Sequence, residues 1–532
     1  MKNIYWIFGL LLFMASCSSK KQGSANVEGS LGNEVAGFQL RQFASETTVV
    51  PKAQVSRDAV IINPRKFDSW KATGILSGNN STSTYLIEPG DYRSWGELKM
   101  SRGGTAAAPL TLSYYDAKAQ DPYLERTNPA RLPKNRQVLI ENVYVTGGHS
   151  HPKGHPDRSI VETEHIRFNG LSFSGNAETL DPHVRPNSPD RGKKGGASNV
   201  LNFTNDVQLN NCLVENVREL NAIRIRGNRN VISNCVIRNC FRIPGSDNIA
   251  IVIYPNKNYW AANNRVENCE LYNCTDCVQI HSVKDPQYLG LAPGTVIHNN
   301  DCYLTEEYYV QRDGQTLAAA EDGFDLKTGG TAAEPVLITN NLIRGMRQTD
   351  TGSGGSGGLG VALNLHLFAN HIRIENNLIH DNRIGILNGT VDAALAQSRR
   401  ANIRVVNNLF NDFYSAGGRD ASGGTVISGS LGMEVNNNTV MDARELINAG
   451  YRANYNLYNN VLAGLQLAGK WSGNHTGTSR SNVWVQPPSE RFGGEDAPGD
   501  RVVERLNNRK LRFIIQPLTA PQPLEISVPD VR

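Results

Sequence analysis

Aromatic residues are scarce in this 532-residue chain, at 7% of the total, and the formal net charge is only +4. With so few rings, an ordered interior must be built from Ile, Val and Leu, and the 50 glycines indicate many turns. The small charge argues against nucleic-acid binding, and no nucleic-acid motif is present. It would suit an anionic ligand if the basic residues lay on one face. Length alone permits several average domains or one elongated architecture.

Helical periodicity is also missing between the copies of a short phrase that recurs along the chain, so helix-based repeats are excluded. Examples are "NNCLV" from Asn210 and "ENNLI" from Glu375, and successive copies are 22 to 40 residues apart. Alternating apolar residues precede the phrase, as in "HIRIENN" from His371, and a period of two indicates a β-strand. The repeat therefore predicts an all-β fold, a right-handed single-stranded parallel β-helix in which each turn stacks on the last.

Asparagine is predicted to form a ladder along the axis, because its amide can bond to the same residue above and below. The predicted ladder is Asn211, Asn234, Asn268, Asp301, Asn341, Asn377, Asn408, Asn438 and Asn460. The next position is expected inside, as Cys212, Cys235, Cys269 and Cys302 and then Leu342, Leu378 and Leu409. All seven cysteines after Cys17 lie between Cys212 and Cys302, and we interpret them as stacked, buried thiols.

The N-terminus carries an apolar run from Ile4 to Met14 that is too short to cross a bilayer comfortably and is typical of a secretion signal. "MASC" from Met14 resembles the lipobox of bacterial lipoproteins. This resemblance implies that Cys17 is acylated and attaches the protein to a membrane of the cell envelope, on the periplasmic side or at the cell surface. The alternative is an ordinary signal with a coincidental cysteine.

These features divide the chain into four segments. We expect a signal peptide over 1–17, a tether and N-terminal extension over 18–55, and the β-helix with an N-terminal cap over 56–485. The proline-rich segment 486–532 is expected to be a tail that packs on the solenoid rather than further coils.

One face of the predicted β-helix carries polar residues on successive turns. The strands "NAIRIRG" from Asn221, "DCVQIHS" from Asp276 and "DGFDLKT" from Asp322 align with one another. If their apolar residues point inward, the outward pairs are Arg224/Arg226, Val252/Tyr254, Gln279/His281, Asp325/Lys327 and Asn364/His366. Such a stripe predicts a groove for an extended anionic polymer; the alternative is the ordinary polarity of outward strand positions.

Three carboxylates fall close together in "EDGFDLKTGG", at Glu321, Asp322 and Asp325. Close like charges are usually relieved by a cation, and oxygen ligands at this density predict Ca²⁺. The alternative is an ion-paired surface in which Lys327 neutralises Asp325. The glycine-rich segment 351–360 that follows is either a passive linker or a mobile loop beside the groove.

The same residues resemble known polysaccharide lyases. Glu321-Asp322-Gly323-Phe324-Asp325 resembles the calcium-binding D-D-G-[FW]-D strand of family 9 pectate lyases. "YLIEPGDY" from Tyr85, "TNNLIRG" from Thr339 and "ALNLHLFANHIRIENN" from Ala362 resemble family 6, the chondroitinase B and alginate lyase group. Family 6 implies a carboxylate pair that binds Ca²⁺, a lysine base and an assisting arginine. Here Lys327 follows the carboxylates more closely, and His366 stands where the arginine would be.

The resemblance implies a secreted, lipid-anchored lyase that cleaves a uronate-containing polysaccharide by β-elimination. Ca²⁺ on Glu321, Asp322 and Asp325 would neutralise the uronate carboxylate, helped by Arg224 or Arg226. Lys327 is the predicted base, and His366 or His281 would protonate the leaving oxygen. The predicted substrate contacts are Arg224, Arg226, Tyr254, Gln279 and Asn364.

Three other functions remain open. A glycoside hydrolase would need two carboxylates, such as Asp325 with Glu321 or Asp322. A C5-epimerase would use the same proton abstraction, and "DPHV" from Asp181 resembles part of a motif of the alginate epimerases. A non-catalytic glycan-binding lipoprotein would need only the groove. In each case we expect a monomer that binds an acidic polysaccharide, is attached to the membrane at Cys17 and binds no nucleic acid.

Overall fold

The computed structural model describes most of the chain from residue 58 onward. The described ranges are 58–75, 81–119, 122–124, 127–145, 163–174, 199–218, 221–241, 249–255, 260–282, 290–305, 311–312, 315–316, 321–346, 360–366, 368–389, 402–413, 424–429, 433–449, 454–471, 476–485, 501–503, 511–515 and 522–526. The predictions for Cys17, for the tether, for "DPHV" at Asp181 and for the glycine-rich segment other than Gly360 lie outside the described residues. No helix in the described ranges is long and apolar enough to cross a membrane.

Parallel strands stack in register into three columns, which confirms the predicted all-β parallel β-helix. The first column is a 14-stranded sheet. Its strands are Val60–Ile62, Thr84–Ile87, Leu110–Tyr114, Ile166–Asn169, Val207–Asn210, Val231–Ser233, Arg265–Glu267, Val296–His298, Val336–Thr339, Ile372–Glu375, Ile403–Val406, Met433–Asn436, Asn454–Tyr458 and Thr476–Arg480.

A further 25 parallel strands form the second and third columns, with Thr439–Ala449 continuous through both. The second column contains Gly90–Asp91, Val138–Ile140, Ser172–Ser174, Leu213–Arg218, Val236–Phe241, Glu270–Cys274, Asp301–Tyr303, Leu342–Arg344, Leu378–His380, Leu409–Phe413, Val461–Ala463, Val483–Val485 and Arg501–Val503. The third contains Leu98–Met100, Val143–Val145, Asn199–Phe203, Asn221–Ile225, Ile249–Ile253, Asp276–Ile280, Asp322–Leu326, Val361–Leu365, Ile384–Asn388, Thr425–Gly429 and Leu465–Trp471.

Smaller elements complete the described structure. Gln311–Arg312 pairs with Gln315–Thr316, and Leu511–Ile515 pairs with Gln522–Ile526, both antiparallel. Three short 3₁₀ helices span Arg93–Trp95, Pro129–Arg131 and Lys134–Arg136.

Both predicted end segments contribute strands to the columns. Val60–Ile62, in the predicted cap, pairs in parallel with Thr84–Ile87. Nearby, the buried ring of Trp70 packs against Tyr92 and Trp95, with centroids 5.5 and 4.7 Å away. Arg501–Val503, in the predicted tail, pairs in parallel with Val483–Val485, so the second column extends into that segment.

The corner between the first and second columns requires a left-handed backbone. Asparagine supplies it because its short polar side chain tolerates positive φ better than other non-glycine side chains do. The residues are Asn211, Asn234, Asn268, Asn299, Asn340, Asn376, Asn407, Asn437 and Asn459, with φ between 51° and 59°. At this position asparagine is therefore selected by the backbone conformation.

The residue after the corner forms a separate, buried hydrogen-bonded ladder. The ladder asparagines are Asn300, Asn341, Asn377, Asn408, Asn438, Asn460 and Asn482, all at most 2% exposed. Asn341 N and Nδ2 both donate to Asn377 Oδ1, at 2.9 and 3.0 Å. Asn377 Nδ2 in turn donates to Ile338 O and to Asn408 Oδ1, both at 2.9 Å. The ladder thus joins each coil to the next by side chain as well as by backbone.

The predicted ladder mixed residues from two different stacks, the corner asparagines and the buried ladder asparagines. Asn211, Asn234 and Asn268 lie at the corner, whereas the asparagines from Asn341 onward lie in the ladder. Cys269 N donates to Asn300 Oδ1 at 3.0 Å. On the coil before Asn300, the ladder position is therefore occupied by a cysteine. The prediction was one residue out of register because the two asparagines are adjacent in the sequence.

The cysteines and leucines also differ from the prediction. Asp301 and Leu342 pair as strand residues, and Cys302 lies opposite Ile343 instead of Leu342. Cys277 and Cys302 form a disulfide, with Cα atoms 6.1 Å apart, where we had expected free thiols. The other five described cysteines are free and buried, as expected. Cys277 belongs to the third column and Cys302 to the second, and sequence spacing gave no sign that they meet inside the coil.

We predict that Asn377→Ala lowers the free energy of unfolding by about 2 to 4 kcal/mol, because the amide and side-chain donors of Asn341 lose their acceptor in a buried site. Denaturant titration would measure the change. Asn402→Ala, at an exposed asparagine in the same region, is the control and should alter stability by less than about 0.5 kcal/mol. Equal effects for the two variants would contradict a stabilising role for the ladder.

Candidate active site

Ten side chains on the outward side of the third column define what we call the site face. Strand pairing places Arg224, Val252, Gln279, Asp325 and Asn364 opposite one another on consecutive turns. Two residues further along each turn, backbone bonds continue the register through Arg226, Tyr254, His281, Lys327 and His366. The structure therefore brings these ten sequence-predicted residues together in the predicted pairs.

Buried apolar residues hold the site face in place. Ile251, Val278, Phe324 and Leu363 stack beneath it and are fully buried. Gly323 allows the strand to pass close to its neighbour, because a Cβ there would lie 2.5 Å from Ala362 O. Asp322 and Asp325, on either side of Gly323 and Phe324, both contact amide side chains of the site face.

Asp325 lies at the centre of the site face and is 3% exposed. Its Oδ2 accepts a hydrogen bond from Gln279 Nε2 at 2.8 Å and lies 3.2 Å from Lys327 Nζ. His366 Nε2 is 2.8 Å from Asp325 Oδ1. Burial acts to raise the pKa of Asp325, but the contacts with His366 and Lys327 outweigh it and hold the pKa below its usual range. Asp325 is therefore an anion that holds an amine and an imidazole side by side.

Asp322 has the opposite protonation preference. It is 1% exposed, and its Oδ2 accepts from Asn364 Nδ2 at 2.8 Å. Its Oδ1 is buried and has no hydrogen-bond partner among the described residues. Burial, together with the charges of Asp325 and Glu321, raises the pKa of Asp322 well above its usual range. The pKa values of two neighbouring carboxyl groups are thus shifted in opposite directions, an arrangement common in acid–base sites.

Stacked rings connect the basic end of the site face to Asp325. The Arg224 guanidinium lies 4.4 Å from the ring centroid of Tyr254. Tyr254 stacks on His281, with centroids 4.4 Å apart and planes 14° from parallel. His281 Nδ1 is 3.0 Å from Gln279 Oε1, and Gln279 bonds to Asp325. A continuous series of contacts therefore extends from the guanidinium to the carboxylate.

The structure does not assemble Glu321, Asp322 and Asp325 into a calcium site. Within the described ranges no group of three or more His, Cys, Asp or Glu side chains could hold a metal ion. Asp325 is already held by Gln279, Lys327 and His366. Ca²⁺ takes about six to eight oxygen ligands, and the described carboxyl groups around Asp322 do not form such a set. The arrangement matches the alternative reading of the sequence, in which Lys327 neutralises Asp325.

Asp276 is a site residue that the sequence motifs did not predict. This residue is 1% exposed, lies opposite Asp322 on the preceding turn, and accepts a hydrogen bond from Gln279 Nε2 at 3.2 Å. Its signal in the sequence was the alignment of "DCVQIHS" with "DGFDLKT", since both strands begin with aspartate. Asp276 and Asp322 are therefore two further buried carboxyl groups beside Asp325.

Comparison with known proteins gives matches only among solved structures: no family model and no curated protein matches the chain. The PL6 family alginate lyase AlyGC superposes with a TM-score of 0.52 and 13% identity, over 87% of this chain and 55% of that one. The likeness is one of fold. It identifies a parallel β-helix of the kind found in the lyase family that the sequence motifs resemble, and the match spans about half of the lyase chain.

Two further structures match with lower scores. A mannuronic acid specific polysaccharide family 6 lyase from human gut microbiota has a TM-score of 0.43 and 11% identity, over 84% of this chain and 92% of that one. PfbA, a surface adhesin of Streptococcus pneumoniae, has a TM-score of 0.46 and 12% identity, over 86% and 92% of the two chains. The function must therefore be argued from the site.

We predict that Asp322→Asn stabilises the protein more at pH 8 than at pH 4. A raised pKa in the folded state means that the stability contributed by Asp322 is complete below the unfolded pKa of about 3.9 and is lost as pH rises through the folded pKa. Asparagine keeps the acceptor for Asn364 and carries no charge at any pH. Denaturant titrations across this pH range would measure the difference in unfolding free energy.

Asp91→Asn is the control for this experiment. The hydrogen bond from Arg93 lowers the pKa of Asp91, so that substitution should cause a loss of stability that grows as pH rises, and a small one because the pair is exposed. A gain for Asp322→Asn that does not change with pH would show that the carboxyl group is not forced to stay protonated.

Proposed function

We propose that this protein is a polysaccharide lyase that cleaves a uronate-containing, acidic polysaccharide by β-elimination. The observation that carries the proposal is the pairing of Asp325 with both Lys327 and His366, at 3.2 and 2.8 Å. It keeps an amine and an imidazole adjacent on an outward face that also carries two guanidinium groups. β-Elimination from a uronate needs a base, an acid and positive charge around one sugar.

The guanidinium groups suit the charge that develops in the reaction. Removal of the C5 proton places a second negative charge on the uronate carboxylate, which nearby cations stabilise. Arg224 and Arg226 supply this charge at one end of the site face, and the Lys327 ammonium supplies it at the centre. Tyr254 is a further proposed substrate contact. The structure buries the other two predicted contacts, Gln279 and Asn364, whose amides bond to Asp325 and Asp322.

Proton transfer is assigned to Lys327, His366 and His281. The base takes the C5 proton, the C–H electron pair forms the C4–C5 double bond, and the C4–O bond breaks with its electrons on the departing oxygen. An acid on the same face then protonates that oxygen. Lys327, the predicted base, stands in an ion pair with Asp325 and must release a proton before it can accept one, whereas a neutral imidazole can accept a proton directly.

The cellular setting is part of the proposal and depends on the sequence. The apolar run before Cys17 and the "MASC" phrase favour a bacterial lipoprotein held at the cell envelope. The polymer would then be degraded at the cell surface or in the periplasm, by a monomer attached through Cys17.

Incubation with alginate, pectate, chondroitin sulfate and ulvan tests the activity directly. We expect one of them to give products that absorb in the ultraviolet, because β-elimination creates an unsaturated uronate. New reducing ends without this absorbance would indicate a hydrolase, a changed uronate epimer ratio an epimerase, and binding without turnover a glycan-binding protein. Parallel reactions with a chelator, and with Ca²⁺ added back, would show whether a metal contributes.

On the substrate so identified, Lys327→Ala should lower kcat/KM by about 10²- to 10⁴-fold, the usual contribution of an acid–base group. Lys327→Arg separates the possible roles, because arginine keeps the charge but cannot act as a base. Arg404→Ala, at an exposed ion pair on the first column, is the control and should leave turnover unchanged. Full activity of Lys327→Ala would exclude Lys327 from the mechanism.

Arg224→Ala should raise KM about tenfold, or about 1.4 kcal/mol, with a smaller change in kcat, because the lost guanidinium contacts an anionic sugar. The structure offers a matched control in Arg344, whose guanidinium lies 4.1 Å from the Tyr303 ring centroid on the second column. Arg344→Ala removes a similar cation–π contact away from the site face. Steady-state kinetics of both variants, with thermal unfolding as the test of folding, would measure the effect. Equal KM values for Arg224→Ala and Arg344→Ala would contradict the assignment of the site face as the substrate-binding surface.

A further inference from the structure

The amide group of Gln279 is fixed between two buried carboxylates. Its Nε2 lies 2.8 Å from Asp325 Oδ2 and 3.2 Å from Asp276 Oδ2, and Gln279 itself is 2% exposed. The opposite orientation would direct the amide oxygen at two carboxylates, which can only accept hydrogen bonds. The nitrogen must therefore face Asp276 and Asp325, and the oxygen must face His281.

This orientation sets the tautomer of His281. Gln279 Oε1 is an acceptor, and it lies 3.0 Å from His281 Nδ1, so Nδ1 carries the proton. In the neutral ring the lone pair is then on Nε2. The plane of the ring is also fixed, because Tyr254 stacks on it and Arg224 packs on the far face of Tyr254.

His366 is held in the opposite way. Its Nε2 lies 2.8 Å from Asp325 Oδ1, and because a carboxylate can only accept a hydrogen bond, the geometry favours protonation of His366 at Nε2. The two histidines of the site face thus present different nitrogens to their partners. His366 directs its Nε2 toward Asp325, whereas His281 directs its Nδ1 toward Gln279, which leaves the lone pair of the neutral ring on Nε2.

We propose that Gln279 is a positioning residue, which holds His281 with Nδ1 protonated so that Nε2 acts as the base for the C5 proton, and that Asp276 supports it by fixing the amide. The inference rests on the proposed lyase function and defines its base. Nε2 takes the C5 proton, the double bond forms between C4 and C5, and the departing oxygen takes its proton from the acid side of the site face, where Lys327 and His366 lie.

The tautomer can be measured without any substrate. Protein labelled with ring-¹⁵N histidine, at a pH where free histidine is neutral, gives distinct signals for protonated and unprotonated ring nitrogens. The His281 signals are identified by their loss in His281→Gln, and those of His366 by their loss in His366→Gln. We expect His281 to be protonated at Nδ1 and His366 at Nε2. His281 protonated at Nε2 would overturn the proposal whether or not a substrate is known.

The kinetic test uses Gln279→Met, which keeps the side-chain volume but offers His281 no amide oxygen. We expect kcat to fall about 10²-fold with little change in KM, and the His281 signals to move toward the Nε2-protonated form that an unconstrained imidazole favours. Tyr272→Phe is the control. It removes the hydrogen bond between Arg238 and Tyr272 on the second column, which is part-buried like the one between Gln279 and His281, and it should leave kcat unchanged.

Wild-type kcat in Gln279→Met would overturn the positioning role. If this variant does not fold, the tautomer of the wild-type protein still decides the question. If no polysaccharide is cleaved by the wild-type protein, the lyase function fails while the tautomer result stands, so the two failures can be distinguished.

Discussion

In-register stacking of one coil on the next is the constraint on which every contact of the site face depends. Gln279, Asp325 and Asn364 come from three turns that are far apart in sequence, and they meet only because each strand pairs residue for residue with its neighbour. A slip of one residue would direct Asp325 toward the core and Phe324 toward solvent. The buried asparagine ladder opposes such a slip, because each amide bonds to one defined residue on the next coil.

The rigid stack makes it possible to bury carboxylates close together. Asp276, Asp322 and Asp325 are each at most 3% exposed, a placement that carries a desolvation cost unless protons or cations compensate. Asp325 lies beside the Lys327 amine and the His366 ring, while the raised pKa of Asp322 favours its neutral, protonated form. The strand Asp322–Leu326 thus places two carboxyl groups with oppositely shifted pKa values within one turn of the solenoid.

The sequence predicted the fold and the outward pairs because both follow from a period of two, which survives inserted loops. It could not fix the register of adjacent asparagines: Asn340 closes a corner while Asn341 joins the ladder, and the two positions look alike without the backbone angle. The disulfide of Cys277 with Cys302 depends on contact across the coil interior. The choice between calcium and an ion pair depended on where the Lys327 amine lies, which spacing does not reveal. Asp276 was not predicted as a site residue because it contacts the site face through a hydrogen bond from Gln279, which the sequence does not reveal.

Residue composition does not by itself distinguish a site from a structural ladder. The second column carries a similar outward series, Glu215, Arg238, Tyr272, Tyr303 and Arg344, with stacked tyrosines and a cation over a ring. There the charges pair one to one: Arg238 with Glu215 at 2.7 Å and Arg344 with Asp301 at 3.0 Å. On the site face, by contrast, two basic side chains, Lys327 and His366, share the single carboxylate of Asp325. The sharing of one carboxylate by an amine and an imidazole distinguishes the third column from the second, and the proposed proton transfer to and from a bound sugar depends on this feature.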